Sequence, residues 1–133
     1  MTFAIEDRLA IHELINLHGH LMDGGEFHRL DEIFTTDVVY DLADFGRGEL
    51  RGIEAVTQAS LALGDRNALG HHVTNVVITE ADGDVARVLS KGIGIQADGS
   101  SGSVGYDDVV RRVADGWRIA HRKVMARRTP LHG

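Results

Sequence analysis

Residues 71–79, HHVTNVVIT, begin the part of the chain that decides its fold. Three more segments rich in β-branched residues follow, and the short turn sequences ADGD, ADGSSG and ADG separate the four. Such a succession predicts long strands that pair as neighbours in one sheet. The three later segments span 84–95, 102–113 and 117–126.

Helical patterns fill most of the first half. Residues 4–22 place a broad arc of apolar side chains at helical spacing, and Gly24 and Gly25 then end the helix, since glycine readily adopts the left-handed turn. Residues 26–34 and 53–63 predict two further helices, and 37–42 a strand. Helices followed by successive strands predict an α+β fold, in which three N-terminal helices cover one face of an antiparallel or mixed sheet.

Length and composition favour an ordinary globular protein. The chain has 133 residues, of which 43% are hydrophobic and 26% charged, so we expect one domain over residues 1–133. No segment approaches the roughly 20 apolar residues that cross a bilayer, so no membrane segment is expected. The N-terminus lacks the basic and then apolar layout of a secretory signal, which predicts a cytoplasmic protein.

The net charge and the absence of cysteine limit the ligands and the catalytic groups that we expect. The formal net charge of -6 opposes a polyanionic partner, so no nucleic acid is expected to bind. The absence of cysteine excludes disulfides, thiolate nucleophiles and cysteine-bound zinc. Catalysis would therefore use His, Asp, Glu, Tyr or Lys.

Strand alternation allows only one of the adjacent histidines to face a pocket. It predicts that His71 and Asn75 share one face and that His72 lies on the other. On the last strand it places Trp117, His121 and Arg127 on one face. Tyr40 lies on the first strand, where its hydroxyl could reach the same pocket.

Two residues of the first helix, Asp23 and His18, each allow two interpretations. Asp23 at the helix end could contact solvent or cap the next helix, whereas an inward Asp23 would need a partner such as His71. His18 lies in the middle of the apolar arc, where it either satisfies its nitrogens in the core or lines a cavity.

Five ordered segments resemble the SnoaL-like branch of the NTF2-like superfamily of cone-shaped α+β proteins. The resemblance covers nearly the whole chain and implies a strongly curved sheet. Relatives of this branch include scytalone dehydratase, bile-acid dehydratases, polyketide cyclases and ketosteroid isomerases. The segments are AIEDRLAIHELI (4–15), HLMDGGEFHRLDEIFTTDVVYDL (20–42), GRGELRGIEAV (46–56), GHHVTN (70–75) and GYDDVVRRVADGWRIAHRKV (105–124).

The resemblance implies roles for particular residues. His71 matches the general base of related dehydratases, and Asp23 matches the aspartate that pairs with it. Related dehydratases often carry tyrosine where this chain has His18, and some place a second acid where it has Ser90 and Lys91. The expected catalytic residues are His71 and Asp23, and the expected substrate-binding residues are His18, Tyr40, Asn75, Trp117, His121 and Arg127.

The sequence and the resemblance together predict a cofactor-free lyase of the dehydratase type that acts on a small, apolar, cyclic molecule. An isomerase or cyclase with the same base, or a non-catalytic accessory subunit, stays open. No metal is expected, because His18 and His20 are two residues apart and face different ways on a helix. We expect a homodimer or higher homo-oligomer that pairs through the outer face of the sheet, where His72, Thr74, Val76 and Ile78 would lie.

Overall fold

The computed structural model describes residues 2–131. The helices are α1 (Ile5–Asp23), a 3₁₀ helix (Phe27–Glu32) and α2 (Ile53–Leu63), with single 3₁₀ turns at Ala43–Phe45 and Gly64–Arg66. The strands are β1 (Phe34–Asp41), β2 (Glu49–Arg51), β3 (Gly70–Asp82), β4 (Val85–Ile95), β5 (Ser101–Val113) and β6 (Gly116–Arg127).

All six strands form one mixed sheet in the order β2-β1-β6-β5-β4-β3. The four long strands pair antiparallel in sequence order, and β1 pairs parallel to β6. The predicted α+β fold with a curved mixed sheet is therefore confirmed. The segment between β1 and α2, which we expected to be only a connection, also contributes β2.

The three predicted helices are present on the sheet. α1 packs against β3 and β6, and α2 packs against β1 and β2. The second helix is 3₁₀ rather than α, and Phe34 begins a strand instead of ending that helix. Apolar side chains of both layers, including Ile11, Ile15 and Ile119, are fully buried between helices and sheet.

The end of α1 is fixed by glycine and by a close approach to β3. Gly25 has φ +65°, so the left-handed turn predicted from the glycine pair is confirmed there. Four residues before Asp23, Gly19 faces the backbone carbonyl of His71 so closely that a Cβ would overlap it. Glycine at this position therefore lets the last turn of α1 lie directly on the start of β3.

Bulges on β3 and β6 interrupt the alternation of inward and outward side chains near the expected site residues. On β3 the pairing with β4 shifts between Thr74 and Val77, and Asn75 has φ +57°. On β6 the pairing with β5 shifts around Ala120. Because a bulge adds one residue to one strand, every side chain beyond it moves to the opposite face.

Within residues 2–131 the structure contains no helix that is both long and apolar enough to cross a membrane.

Candidate functional site

A cavity of about 490 Å³ opens at one end of the sheet. This volume lies in the range of small-molecule sites, and the walls are largely apolar, as in most such sites. The polar side chains that line it from the sheet include Tyr40 of β1, His71 of β3 and Tyr106 of β5. The apolar lining comes from Leu42, Phe45, Leu63, Ala68, Val104, Val124 and Ala126.

Asp23 and His71 meet at the wall of this cavity. Nδ1 of His71 lies 2.6 Å from Oδ1 of Asp23, and the backbone N–H of His71 donates to both carboxylate oxygens at 3.1 Å. Both side chains keep a little under a third of their surface exposed. His71 lines the cavity and also an outer groove, whereas Asp23 lines only the groove.

This contact selects one form of the imidazole. An ionised carboxylate only accepts hydrogen bonds, so neutral His71 places its proton on Nδ1 and leaves the lone pair on Nε2. The bond to its own backbone N–H also restrains where Asp23 can lie. The hydrogen-bonded pair expected from the resemblance is present at the cavity wall.

His18 lies beneath the cavity rather than on its surface. Its side chain is 1% exposed, and neither ring nitrogen has a hydrogen-bond partner within residues 2–131. Burial lowers the pKa of His18 well below its usual value, and the charge of Arg122 acts in the same direction. The neutral ring packs within about 6 Å of the rings of Phe34, Tyr40, His71 and Tyr106.

The two tyrosines keep their protons in this environment. Burial raises the pKa of Tyr40 and of Tyr106, and the neighbouring Arg122 charge opposes the shift in both. Both phenols are therefore hydrogen-bond donors at neutral pH. Tyr40 lies at the cavity as the sequence predicted.

Tyr106 packs across a glycine of the adjacent strand. A Cβ built on Gly92 would lie 2.6 Å from Cε2 and 2.7 Å from the hydroxyl oxygen of Tyr106. Any side chain at position 92 would thus displace the ring. The observed position of the Tyr106 hydroxyl therefore requires glycine at position 92.

A fully buried ion pair supports Tyr106 from below. Nε and Nη2 of Arg122 each donate to a carboxylate oxygen of Asp108 at 2.8 Å, and both side chains are 0% exposed. Burial by itself would lower the pKa of Arg122, but the charge of Asp108 raises it above its ordinary value. The guanidinium carbon lies 4.2 Å from the centre of the Tyr106 ring, in a cation–π contact.

Sequence reasoning missed Tyr106, Asp108 and Arg122. The β5 segment did carry a signal, because Tyr106 and Asp108 alternate with the same parity as Val104 and Val110, which are typical core residues. An inward carboxylate then requires a cation on a neighbouring strand. The β6 bulge concealed that cation by reversing the expected face of Arg122.

The same bulges overturn two expected positions. Asn75 does not share the face of His71, because it lies in the β3 bulge, is exposed and borders a different pocket. His121 does not share the face of Trp117, because the Ala120 bulge turns it outward. Beyond the β3 bulge, Val76 and Ile78 pack against the core instead of offering an outer surface.

Trp117 is part of the core at the other end of α1. Its Nε1 donates to Oδ1 of Asp7 at 3.0 Å, and Arg112 stacks on its ring at 4.6 Å. Asp7 and Asp23 are separated by about 24 Å along the helix at 1.5 Å per residue. Trp117 therefore does not line the cavity, whereas Arg127 does so at the cavity mouth.

His121 instead joins a group with Asp41 and Glu49. One ligand atom from each lies within 4.8 Å of the others, and none of the three lines the cavity. Asp41 accepts the backbone N–H of Ala43 at 2.9 Å, and Glu49 accepts Arg51 at 2.6 Å. Both carboxylates are thus already engaged by the chain.

Comparison with known proteins identifies a matching family. The family model described as a SnoaL-like domain matches residues 4–123. An uncharacterized protein of Mycobacterium tuberculosis is 31% identical over 124 residues, which cover 89% of this chain and 84% of that protein.

Solved structures share the fold. A protein of Novosphingobium aromaticivorans provisionally named an aromatic ring hydroxylase is 27% identical, with a TM-score of 0.76 over 96% of this chain and 94% of its own. A second protein of that organism, provisionally named a scytalone dehydratase, is 20% identical, with a TM-score of 0.78 over 97% of this chain and 90% of its own. At that identity the second likeness establishes the fold alone.

Proposed function

The chain belongs to the SnoaL-like family, and we propose that it is a lyase of the dehydratase type that uses His71 as its base. The observation that carries this proposal is the 2.6 Å contact between Nδ1 of His71 and Asp23 at the wall of a cavity. The contact leaves Nε2 as the proton acceptor. The chemistry we propose needs no cofactor or metal.

The proposed reaction is the loss of water from a cyclic β-hydroxyketone. Nε2 of His71 removes a proton from the carbon next to the carbonyl, and the electron pair forms an enolate. The enolate then forms the new carbon–carbon double bond and expels the hydroxyl group. The imidazolium returns its proton to that hydroxyl, which leaves as water, and Asp23 stabilises the imidazolium in between.

Two phenols would hold the carbonyl oxygen of this substrate. Tyr40 and Tyr106 both line the cavity and both keep their protons at neutral pH. A donor aimed at the oxygen on which charge develops stabilises the enolate more than the ketone, which lowers the barrier. The positive charge of Arg122 beneath Tyr106 would also stabilise the negative charge of the enolate.

The rival functions differ in what they need from the cavity. An isomerase or cyclase would use the same base and donors, so only the product separates it from a dehydratase. An accessory subunit would need neither an open cavity nor an oriented base. The cavity of about 490 Å³ and the engaged Asp23 therefore favour an enzyme.

Exposed apolar side chains on the outer face of the sheet support the expected homo-oligomer. Val77, Leu89 and Ile93 expose 56%, 41% and 39% of their surfaces. Replacing Leu89 by lysine should shift the molecular mass measured by light scattering toward that of one chain, whereas an unchanged mass would contradict pairing through this face.

A panel of cyclic β-hydroxyketones tests the reaction. The wild-type protein should release a product lighter by one water molecule, and His71→Ala should lower turnover by about 10²-fold or more. His72→Ala is the matched control, because it changes the neighbouring and more exposed ring. A product of unchanged mass would indicate isomerisation, and activity lost to a chelator and restored by a metal ion would contradict the metal-free chemistry.

A further inference from the structure

Within residues 2–131, the charged side chains that line the cavity are all arginines. They are Arg47, Arg66, Arg127 and Arg128, and no aspartate or glutamate lines it. The whole chain has 20 acidic residues against 14 Lys and Arg. The cavity mouth therefore carries charge of the opposite sign to the net charge of the molecule.

Three separate parts of the chain bring these arginines together. Arg47 comes from the loop between β1 and β2, Arg66 from the 3₁₀ turn after α2, and the other two from the end of β6 and the residue after it. All four are exposed, so they surround the opening and do not belong to the core.

These arginines have few partners in the protein itself. In the part of the chain that the structure describes, none of them has a carboxylate oxygen within 4.0 Å. Arg66 and Arg128 make long hydrogen bonds, of 3.5 and 3.4 Å, with the carbonyls of Ala62 and Asp44, and Arg128 also lies over the ring of Phe45 at 5.6 Å. The nearby carboxylate of Asp44 accepts the backbone N–H of Ala126 instead.

A cleft lined by charges of one sign attracts ligands of the other sign, and apolar walls strengthen the attraction because they exclude water. Arginine also presents a planar pair of donors that matches a carboxylate or a phosphate. Four arginines above apolar walls thus suit a ligand with an apolar body and one oxyanion.

We infer that the cavity selects a ligand whose apolar body carries a carboxylate, phosphate or similar oxyanion, and that the arginines at the mouth hold this group. The inference names the substrate class of the proposed function and rests on it only in using the same cavity. With the anionic group at the mouth, the apolar body extends toward His71.

Two fluorescent probes with one skeleton test the inference. 8-Anilinonaphthalene-1-sulfonate carries an oxyanion, and N-phenyl-1-naphthylamine is the same molecule without it. The double variant Arg47→Gln/Arg127→Gln removes the two cavity arginines whose side chains make no hydrogen bond within residues 2–131. Arg111→Gln is the matched control, since Arg111 is exposed and lies outside the cavity.

We expect the wild-type protein to bind the sulfonate about tenfold or more tightly than the neutral probe, as arginine contacts to an anion would provide. The double variant should lose most of that difference and still bind the neutral probe. Equal affinities for both probes in the wild type would overturn the inference, as would an equal loss in Arg111→Gln.

A further variant separates this inference from the proposed reaction. His71→Ala should keep the wild-type preference for the sulfonate, because the arginines remain. Loss of turnover therefore reports on the reaction, and loss of the preference reports on the arginines. A His71→Ala protein without the preference would show that the mouth does not recognise the anion by itself.

Discussion

Asp23, the last residue of α1, accepts hydrogen bonds from both the ring and the backbone of His71, the second residue of β3. The two residues are 48 positions apart in the chain, and the close approach of Gly19 to β3 brings them together. The contact fixes both the tautomer and the position of the imidazole.

Asp23→Asn should lower kcat by about 10²-fold while the fold stays intact. The amide can donate to Nδ1, which would move the ring proton to Nε2 and remove the base. Steady-state kinetics and circular dichroism measure the two effects, with the exposed Asp65→Asn as control. Wild-type kcat in Asp23→Asn would remove the carboxylate from the mechanism.

Gly92→Ala should reproduce the effect of Tyr106→Phe on turnover. The added Cβ would lie 2.6 Å from the Tyr106 ring, so the phenol must move from its position at the cavity. Lys91→Ala is the control on the same strand, because Lys91 is exposed and does not line the cavity.

The double variant Gly92→Ala/Tyr106→Phe completes a cycle of kcat/KM values. We expect the two losses not to add, since both remove the same hydroxyl contact. Additive losses, or a Gly92→Ala protein with wild-type kinetics beside an impaired Tyr106→Phe protein, would show that Gly92 does not set the position of the Tyr106 hydroxyl.

Trp117→Phe should lower Tm by several degrees and leave kcat/KM unchanged. The substitution removes the hydrogen bond from the indole to Asp7 and part of the core packing, far from Asp23. Thermal unfolding and kinetics are measured on the same sample. A changed KM with an unchanged Tm would instead indicate that Trp117 contacts the ligand.

His18→Leu should stabilise the protein more at pH 5 than at pH 8, relative to the wild type. Burial keeps the pKa of folded His18 below its ordinary value of 6.5, so below that pH the unfolded chain binds a proton that the folded chain does not. The wild type therefore loses stability as the pH falls through 6.5, and the variant lacks this loss. A difference in Tm that does not vary with pH would contradict a buried neutral His18.

The sequence predicted the fold well because its signals are local. Glycine at the end of α1, apolar spacing along the helix and turn residues between the long strands each act within a few positions. The Asp23–His71 contact was expected from the resemblance, and the need of an inward carboxylate for a partner agrees with it.

The errors at Asn75, His121 and Arg122 have one physical cause. Strand alternation assigns side chains to the correct face of the sheet only as far as the first bulge. The residues at positions 75 and 120, asparagine and alanine, are not types that require a bulge. Asn75 and His121 were therefore placed inside and Arg122 outside, although each is on the opposite face. Arg127 was among the expected binding residues, but the cavity mouth combines three segments distant in sequence, so no local pattern could reveal the group of four arginines.

The most direct test of the account is whether His71 removes a proton from carbon. Hydrogen–deuterium exchange at the acidic C–H of 2-tetralone, followed by NMR in D₂O, measures this step without the natural substrate. We predict that the wild-type protein and His72→Ala accelerate the exchange and that His71→Ala is slower by about 10²-fold or more. Equal acceleration by His71→Ala and the wild-type protein would contradict His71 as the base.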